Sequence, residues 1–252
     1  MNNNKKKPKK TVLLASGFLF VMLAGGYAAY DYYAGNHVEI EGVIPAAGQA
    51  SAGQQTSEQP SGGGQLSGGQ SASSAAAPIA GKLNGTWKVA APSKVYFSVT
   101  TSKETVNFVG DQVRGEWLVD LSAPANMKGH GEADIASLSS GNGQRDGHIK
   151  GNDYLQAATY PKATFQVTSF EGVPAEWKEG QVVPLKLKGK LSVKGVDKDV
   201  TFDSNALYEQ NQLKLSGSTV VTFDDYGMKN PHAVVLQTEN NVTVRLELVL
   251  NK

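Results

Sequence analysis

The stretch "VPLKLKGKLSVK", Val183 to Lys194, alternates two kinds of side chain along its length. Val183, Leu185, Leu187, Gly189, Leu191 and Val193 take the odd positions, and Lys186, Lys188, Lys190, Ser192 and Lys194 fall on the even ones. An extended strand turns successive side chains to opposite faces, so this segment has one oily face and one wet face. Four lysines on the wet side fit a solvated strand face that discourages edge pairing. A second reading of that stripe is attraction to an anionic envelope surface.

Working outward, the same period recurs. The closing segment places Val242, Val244, Leu246, Leu248 and Leu250 against Thr243, Arg245, Glu247 and Asn251. Similar alternation surrounds Val95, Phe97 and Val99, then Trp117, Val119 and Leu121, then Phe165 and Val167, then Leu213 and Leu215. Gly110-Asp111, Gly195 with Asp197, and Asn211 punctuate the runs as turn residues. No long stretch has the 3.6-residue period of an amphipathic helix. Several strands with one apolar face each admit two architectures, a two-sheet sandwich or a closed antiparallel barrel. They differ in consequence: sandwich faces interdigitate, whereas a barrel of about eight strands can hold one small ligand.

"SSGNGQRDGHIKGNDYL", Ser139 to Leu155, interrupts the pattern, with Arg145, Asp146, His148, Lys150 and Asp153 set between glycines and nothing large and apolar before Ile149. A histidine beside a carboxylate is an ingredient of proton transfer. Adjacent residues in a glycine-rich connector point apart, however. A structural role fits better: Asp146 accepting backbone N–H groups at the start of a short helix over Gln144–Leu155, with Arg145 pairing elsewhere on the rim. The cluster is expected to close one end of the fold, and contact with a polar head group is the second reading.

Taken with its neighbours, this stretch resembles the YceI-like family of exported lipid-binding β-barrels. The resemblance is carried by Ser137-Leu138-Ser139-Ser140-Gly141-Asn142, Arg145-Asp146-Gly147-His148-Ile149-Lys150, Asp153-Tyr154-Leu155 and Tyr160-Pro161-Lys162-Ala163-Thr164-Phe165, in that order. Gly85-Thr86-Trp87, Ser93 to Phe97 and "GKLSVKGVDKDVTF", Gly189 to Phe202, join it, so that it covers residues 83–252. Three positions depart from the family's pattern. Tyr154 replaces the usual phenylalanine, Asp197 the usual threonine, and Val221 to Gly227 lacks an arginine often found before its Asp-Phe-Gly-like end.

The resemblance implies an all-β, lipocalin-like antiparallel barrel of about eight strands with a short helix near residues 144–155. Its interior would take an isoprenoid or another long-chain amphiphile, and no catalysis and no cofactor are implied. On that reading the candidate lining residues are Phe97, Val99, Trp117, Val119, Phe165, Val167, Leu187, Leu191, Leu215, Leu246 and Leu248, any one of which also serves as plain core. Arg145, Asp146, His148 and Tyr154 are the candidate rim or head-group residues. The rival reading is a non-catalytic structural or adhesive surface module with a filled core.

The first residues add a location. Five lysines, Lys5, Lys6, Lys7, Lys9 and Lys10, precede the uncharged "TVLLASGFLFVMLAGGYAAY", Thr11 to Tyr30, which as a helix is long enough to span a hydrocarbon core. The lysines should remain cytoplasmic, and Tyr27, Tyr30, Tyr32 and Tyr33 gather where aromatic rings favour the interface. The expectation is a basic tail over 1–10, a signal-anchor over 11–30 that meets the membrane, and an exported remainder. A cleaved secretory signal is the alternative. Residues 31–82 then read as a linker. Pro45 to Gly81 is a Gly/Ser/Gln/Ala tract that cannot bury enough to fold and should act as a tether. His37 to Ile44, "HVEIEGVI", alternates like a strand but has no partner in sequence and stays unassigned.

Other classes fall away. A net charge of +1 and the lack of basic clusters interleaved with aromatics beyond the tail speak against nucleic acid. The chain has no cysteine, so disulfides, thiolate metal sites and a cysteine nucleophile are excluded. His37, His130, His148 and His232 show no metal-binding spacing, no Gly-x-Ser-x-Gly elbow occurs, and "GNGQRDG" lacks the lysine of a phosphate loop. A homodimer is left open.

Overall fold

The computed structural model describes residues 35, 38–45, 79–230 and 237–252. The basic tail, the expected span over 11–30, residues 46–78 of the linker, His37 and His232 lie outside the described residues.

Nine strands form: β1 (Gly85–Thr101), β2 (Thr105–Gly110), β3 (Val113–Val119), β4 (Lys128–Asp134), β5 (Lys162–Glu171), β6 (Val182–Val193), β7 (Val196–Glu209), β8 (Gln212–Thr222) and β9 (Thr238–Asn251). All pairings are antiparallel, and β9 returns to pair with β1, so the sheet closes on itself. β2 and β3 lie end to end along one edge of β1: Val95 to Thr100 face β2, and Gly85 to Lys88 face β3. Counted this way the ring has eight staves. Of the two architectures that alternation allows, the chain takes the barrel.

The odd face of β6 is inward. Val183, Leu185, Leu187 and Leu191 are buried, while Lys186, Lys188 and Lys190 are exposed. Each of these lysines meets an acid on an adjacent strand: Lys186 pairs with Asp203, Lys188 with Glu171 at 2.5 Å, and Lys190 with Asp199 at 3.7 Å. Exposed pairs of this kind stabilise weakly. They neutralise the stripe locally, so the solvated-face reading describes it and a free basic patch does not.

The two ends of the barrel differ. At the end where β1 begins, helix α1 (Ala80–Leu83) folds over the opening. The indole N–H of Trp87 donates to the Leu83 carbonyl at 2.7 Å, and its ring meets Tyr208 edge-on at 6.0 Å. Ile79 donates to the carbonyl of Trp177 at 3.2 Å, and Leu83, Leu187, Phe202 and Leu250 are wholly inaccessible to solvent. This end is plugged. At the other end β4 stops at Asp134, and residues 135–161, including helix α2 (Gly143–Lys150), cover the top.

One outward position departs from its expected wet face. Glu247 is only 1% exposed, because residues 38–45 pack across the outer wall and the Val43 N–H donates to its carboxylate at 3.0 Å. Residues 38–45 join no sheet and make a strap.

Inward glycines make room for rings. A methyl group at Gly189 would collide with the Gln166 carbonyl and come within 2.7 Å of the Phe165 ring, and one at Gly129 would meet Trp117 at 3.1 Å. Aromatic rings thus lie over glycines on neighbouring strands, which pins both rotamer and register. Gly189→Ala is expected to force Phe165 off its seat at a cost of about 1–3 kcal/mol, read as a lowered urea midpoint with an unchanged slope.

Candidate functional site

The cavity follows from how the top of the barrel is built. β4 ends at Asp134, but β2 continues above β3, so the upper part of β2 has no full strand beside it. Ser139 supplies a single bridge to Val109, with N–H to carbonyl distances of 2.8 and 2.9 Å. The chain then turns into α2. The Asn142 side-chain oxygen accepts from the N–H groups of Gln144 and Arg145, both at 3.1 Å, which starts the helix. Gly151 ends it, its N–H donating to the His148 carbonyl at 3.0 Å. The helix is therefore Gly143–Lys150, shorter than the expected 144–155, and its cap is Asn142 instead of Asp146. A cap must precede the first turn, and Asp146 already lies inside it.

Asp146 does accept a backbone N–H, but from a residue before the helix. Its carboxylate takes the Ser140 N–H and the Ser140 hydroxyl, each at 2.7 Å, and the Ser139 hydroxyl at 3.1 Å. This clasp fastens α2 to the segment that bridges β2. Lys150 adds a second fastening, donating to the Ala136 carbonyl at 2.8 Å. The cluster closes a barrel end.

His148 projects elsewhere. Its ring lies 5.0 Å from that of Tyr154, tilted by 45°. Burial, reinforced by the nearby Asp153 charge, pushes the Tyr154 hydroxyl above the usual phenol range. Asp146 and His148 are two apart on a helix and do not face each other. The carboxylate is occupied by serines and the imidazole ring lies against a tyrosine, so the two are not paired with each other.

Beneath the helix the barrel is hollow in three adjoining parts that share wall residues. An open mouth of about 400 Å³ is bounded by Val99, Thr101, Val106, Phe108, Asn142, Gln144, Arg145, His148, Ile149, Tyr154, Phe223 and Thr238. Ile149 and Phe223 also bound a middle chamber of about 120 Å³, whose wall is almost wholly apolar. Val95, Ala133, Ala163, Leu191 and Val244 bound both the middle chamber and a deep one of about 90 Å³. Ala133 and Ala163 are register partners on β4 and β5, and these small side chains form the waist between the two chambers. Together the parts make a tunnel that is polar at its opening and dry within.

Seven of the eleven lining candidates bound this tunnel. Val99 is at the mouth, Phe97 in the middle chamber, Leu191 at the waist, and Trp117, Phe165, Leu246 and Leu248 in the deep chamber. Val119, Val167, Leu187 and Leu215 are buried in the packed core and bound none of the three. Of the rim candidates, Arg145, His148 and Tyr154 bound the mouth, and Asp146 is withdrawn into its serine clasp.

The alternation also marks Val95, Val193, Val242 and Val244 as inward, and they line the tunnel. Phe223, Tyr226 and Met228 line it too, from a turn after β8 with no period to betray them. Two donors along the tunnel stand out. Trp117 Nε1 and Tyr226 Oη are buried and have no hydrogen-bond partner among the described residues. Burial, with Asp225 and Asp197 adding to it, pushes the Tyr226 phenol far above its ordinary value, so it remains a donor throughout the neutral range.

No three His, Asp or Glu side chains gather to hold a metal among the described residues. No helix among them is long and apolar enough to cross a membrane.

Comparison with known proteins agrees with this architecture. The chain is 29% identical to a UPF0312 protein of Shewanella oneidensis and 28% to one of Shewanella sp. strain W3-18-1, in each case over 121 residues, 46% of this chain and 60% of the relative. It thus spans about 60% of the length of these curated relatives. Two solved structures share the fold. Burkholderia cenocepacia BcnA superposes with a TM-score of 0.54 at 20% identity, over 63% of this chain and 96% of BcnA. A polyisoprenoid binding domain from Saccharophagus degradans, implicated in plant cell wall breakdown, superposes with a TM-score of 0.54 at 16% identity, over 66% of this chain and 97% of that domain. The YceI-like domain family matches residues 87–250, which hold all nine strands but the ends of the first and last, and the chain belongs to that family.

Proposed function

We propose that this protein is an exported, membrane-tethered carrier that holds an isoprenoid or similar amphiphile inside its barrel. The observation that carries the reading is the tunnel: dry chambers below a mouth that bears Arg145, His148 and Tyr154. A chain of methylenes and methyls gains about 0.8 kcal/mol for each CH₂ it buries, so such a wall binds by length and needs few polar contacts. The polar mouth then orients the head group. Export and the tether rest on the sequence of residues 1–30, and the fold suits binding and transport better than catalysis. The named ligand class of the Saccharophagus degradans domain supports the same choice. A surface module with a filled core has no use for chambers of about 120 and 90 Å³ at its centre.

Trp117 Nε1 and Tyr226 Oη refine the ligand class. An unpaired buried donor costs about 1–3 kcal/mol, and an acceptor on a bound molecule would relieve that cost. An amphiphile with a carbonyl or hydroxyl oxygen within its length suits the tunnel better than a bare hydrocarbon.

Native mass spectrometry of residues 79–252 exported from a bacterial host, followed by solvent extraction, tests the reading. A near-stoichiometric isoprenoid or other long-chain amphiphile is expected. An empty barrel that also takes up no added polyprenol or quinone would sink it.

The waist supplies a sharper test. Ala163→Phe is expected to close the deep chamber; if three methylenes are shut out, affinity for a long polyprenol should fall by about 2.4 kcal/mol, roughly fifty-fold, while a short-chain analogue is held as before. Competition with a fluorescent lipid measures both. Tyr226→Phe should leave the unliganded barrel as stable or up to about 1 kcal/mol more stable, and should weaken a quinone more than a plain hydrocarbon of equal length. Thermal melts and the same competition assay read the two effects.

A further inference from the structure

Residues 38–45 are held to the outer wall of the barrel by contacts that progress in one direction. The Val38 carbonyl accepts from Asn107 Nδ2 at 2.9 Å, and Asn107 is the register partner of Ser98. The Glu41 N–H donates to Tyr96 Oη at 3.2 Å, and its carboxylate pairs with Lys94 at 2.6 Å. The Val43 N–H donates to Glu247, the partner of Lys94 on β9. As the strap advances from 38 to 43, its partners on β1 retreat from Ser98 through Tyr96 to Lys94. β1 runs from the plugged end toward the mouth, so the strap starts near the mouth and leads away from it.

That polarity says where each flank of the strap goes. The residues before it lead back in sequence to the apolar segment Thr11–Tyr30, and the strap itself begins on the mouth side, at Val38. The residues after it, 46–78, connect Pro45 to Ile79, and Ile79 sits at the plugged end against Trp177. Both ends of the glycine- and serine-rich tract are thus attached to the barrel, and that tract does not set the distance to the membrane. Only residues 31–37 do, and seven residues reach at most about 25 Å.

We propose that the docked strap orients the barrel, holding its mouth toward the bilayer and its plugged end away, so that a lipid passes between membrane and tunnel over a short path. The proposal rests on the reading of residues 11–30 as a retained membrane anchor. It assigns the outer face around Asn107, Tyr96, Lys94 and Glu247 as the docking site for the protein's own membrane-proximal segment, and the rim around Lys103 and α2 as the face presented to a lipid surface.

The absence of native cysteine makes a clean test. The full chain carrying either Lys103→Cys, in the turn at the mouth end, or Glu176→Cys, in the loop at the plugged end, is labelled with a fluorophore. Each is reconstituted in phosphatidylethanolamine–phosphatidylglycerol vesicles that contain a lipid with a nitroxide head group. Strands of β6 length at the usual tilt place the two ends roughly 30 Å apart, enough for contact quenching to separate them. The label at 103 should lose intensity and the label at 176 should keep it. Replacing residues 38–45 by an equal length of glycine and serine should abolish the difference. Equal quenching of the two labels, stronger quenching at 176, or a difference that survives strap replacement would overturn the orientation. Release of the unaltered chain from vesicles by alkaline washing would overturn the anchor reading, and the proposal with it.

Discussion

The upper edge of β2 sets the design of the whole top of the barrel. A strand edge inside a closed sheet cannot be left bare, because its N–H and C=O groups must find partners. β4 ends too early to supply them, and the chain answers with one bridge at Ser139 followed by a helix laid over the remaining gap. Everything about the site descends from that substitution of a helix for a stave. A wall of strands would pack solid against its neighbours. A short helix held at its margins by Asp146 and Lys150 roofs the space and leaves it hollow, with Ile149 reaching down as the apolar residue that meets the tunnel.

The hollow top and the solid bottom are two answers to one volume problem. An eight-stranded ring has just enough interior for side chains to fill it. At the bottom, Trp87, Tyr208, Phe202 and Leu187 fill it, and α1 with Trp177 seals the end. Farther up the side chains shrink to Val95, Ala133, Ala163 and Val244, and the space they leave is the tunnel. Gly129 and Gly189 belong to the same economy of volume, since they let Trp117 and Phe165 lie flat along the wall. The plug therefore supplies stability while the upper half is free to receive a ligand.

Most of the fold was legible because the pleat writes itself into the sequence as a period of two. Where that period ran through a whole strand, as in β6, it told inward from outward without error among the aliphatic and lysine positions. It could not tell hollow from packed. Val119, Val167, Leu187 and Leu215 point inward as surely as Trp117 and Leu248, and only their level along the barrel axis decides which of them meet the tunnel. Level depends on register, which is set by pairings remote in sequence. The loops were harder still: Phe223, Tyr226 and Met228 come to the tunnel through a turn, and no periodicity describes a turn. The Arg145–His148 cluster announced itself by composition, yet composition did not say that Asn142 would cap the helix and leave Asp146 to the serines.

Glu247 shows a subtler limit, and it bears on how firmly the strap is held. Its alternation assigns it to the solvent, and on a bare barrel that is where it would be. The strap buries it. Desolvating a carboxylate is costly unless hydrogen bonds replace the lost water. Here the Val43 N–H and the Ser216 hydroxyl, at 3.0 and 2.8 Å, supply two of them, and Arg245 stands 4.0 Å away. A charge-assisted hydrogen bond contributes about 1.5–3 kcal/mol, an amount comparable with the desolvation it offsets. Val38, Ile40, Val43 and Ile44 are each half-buried, so apolar contact adds to these hydrogen bonds in holding the strap to the wall.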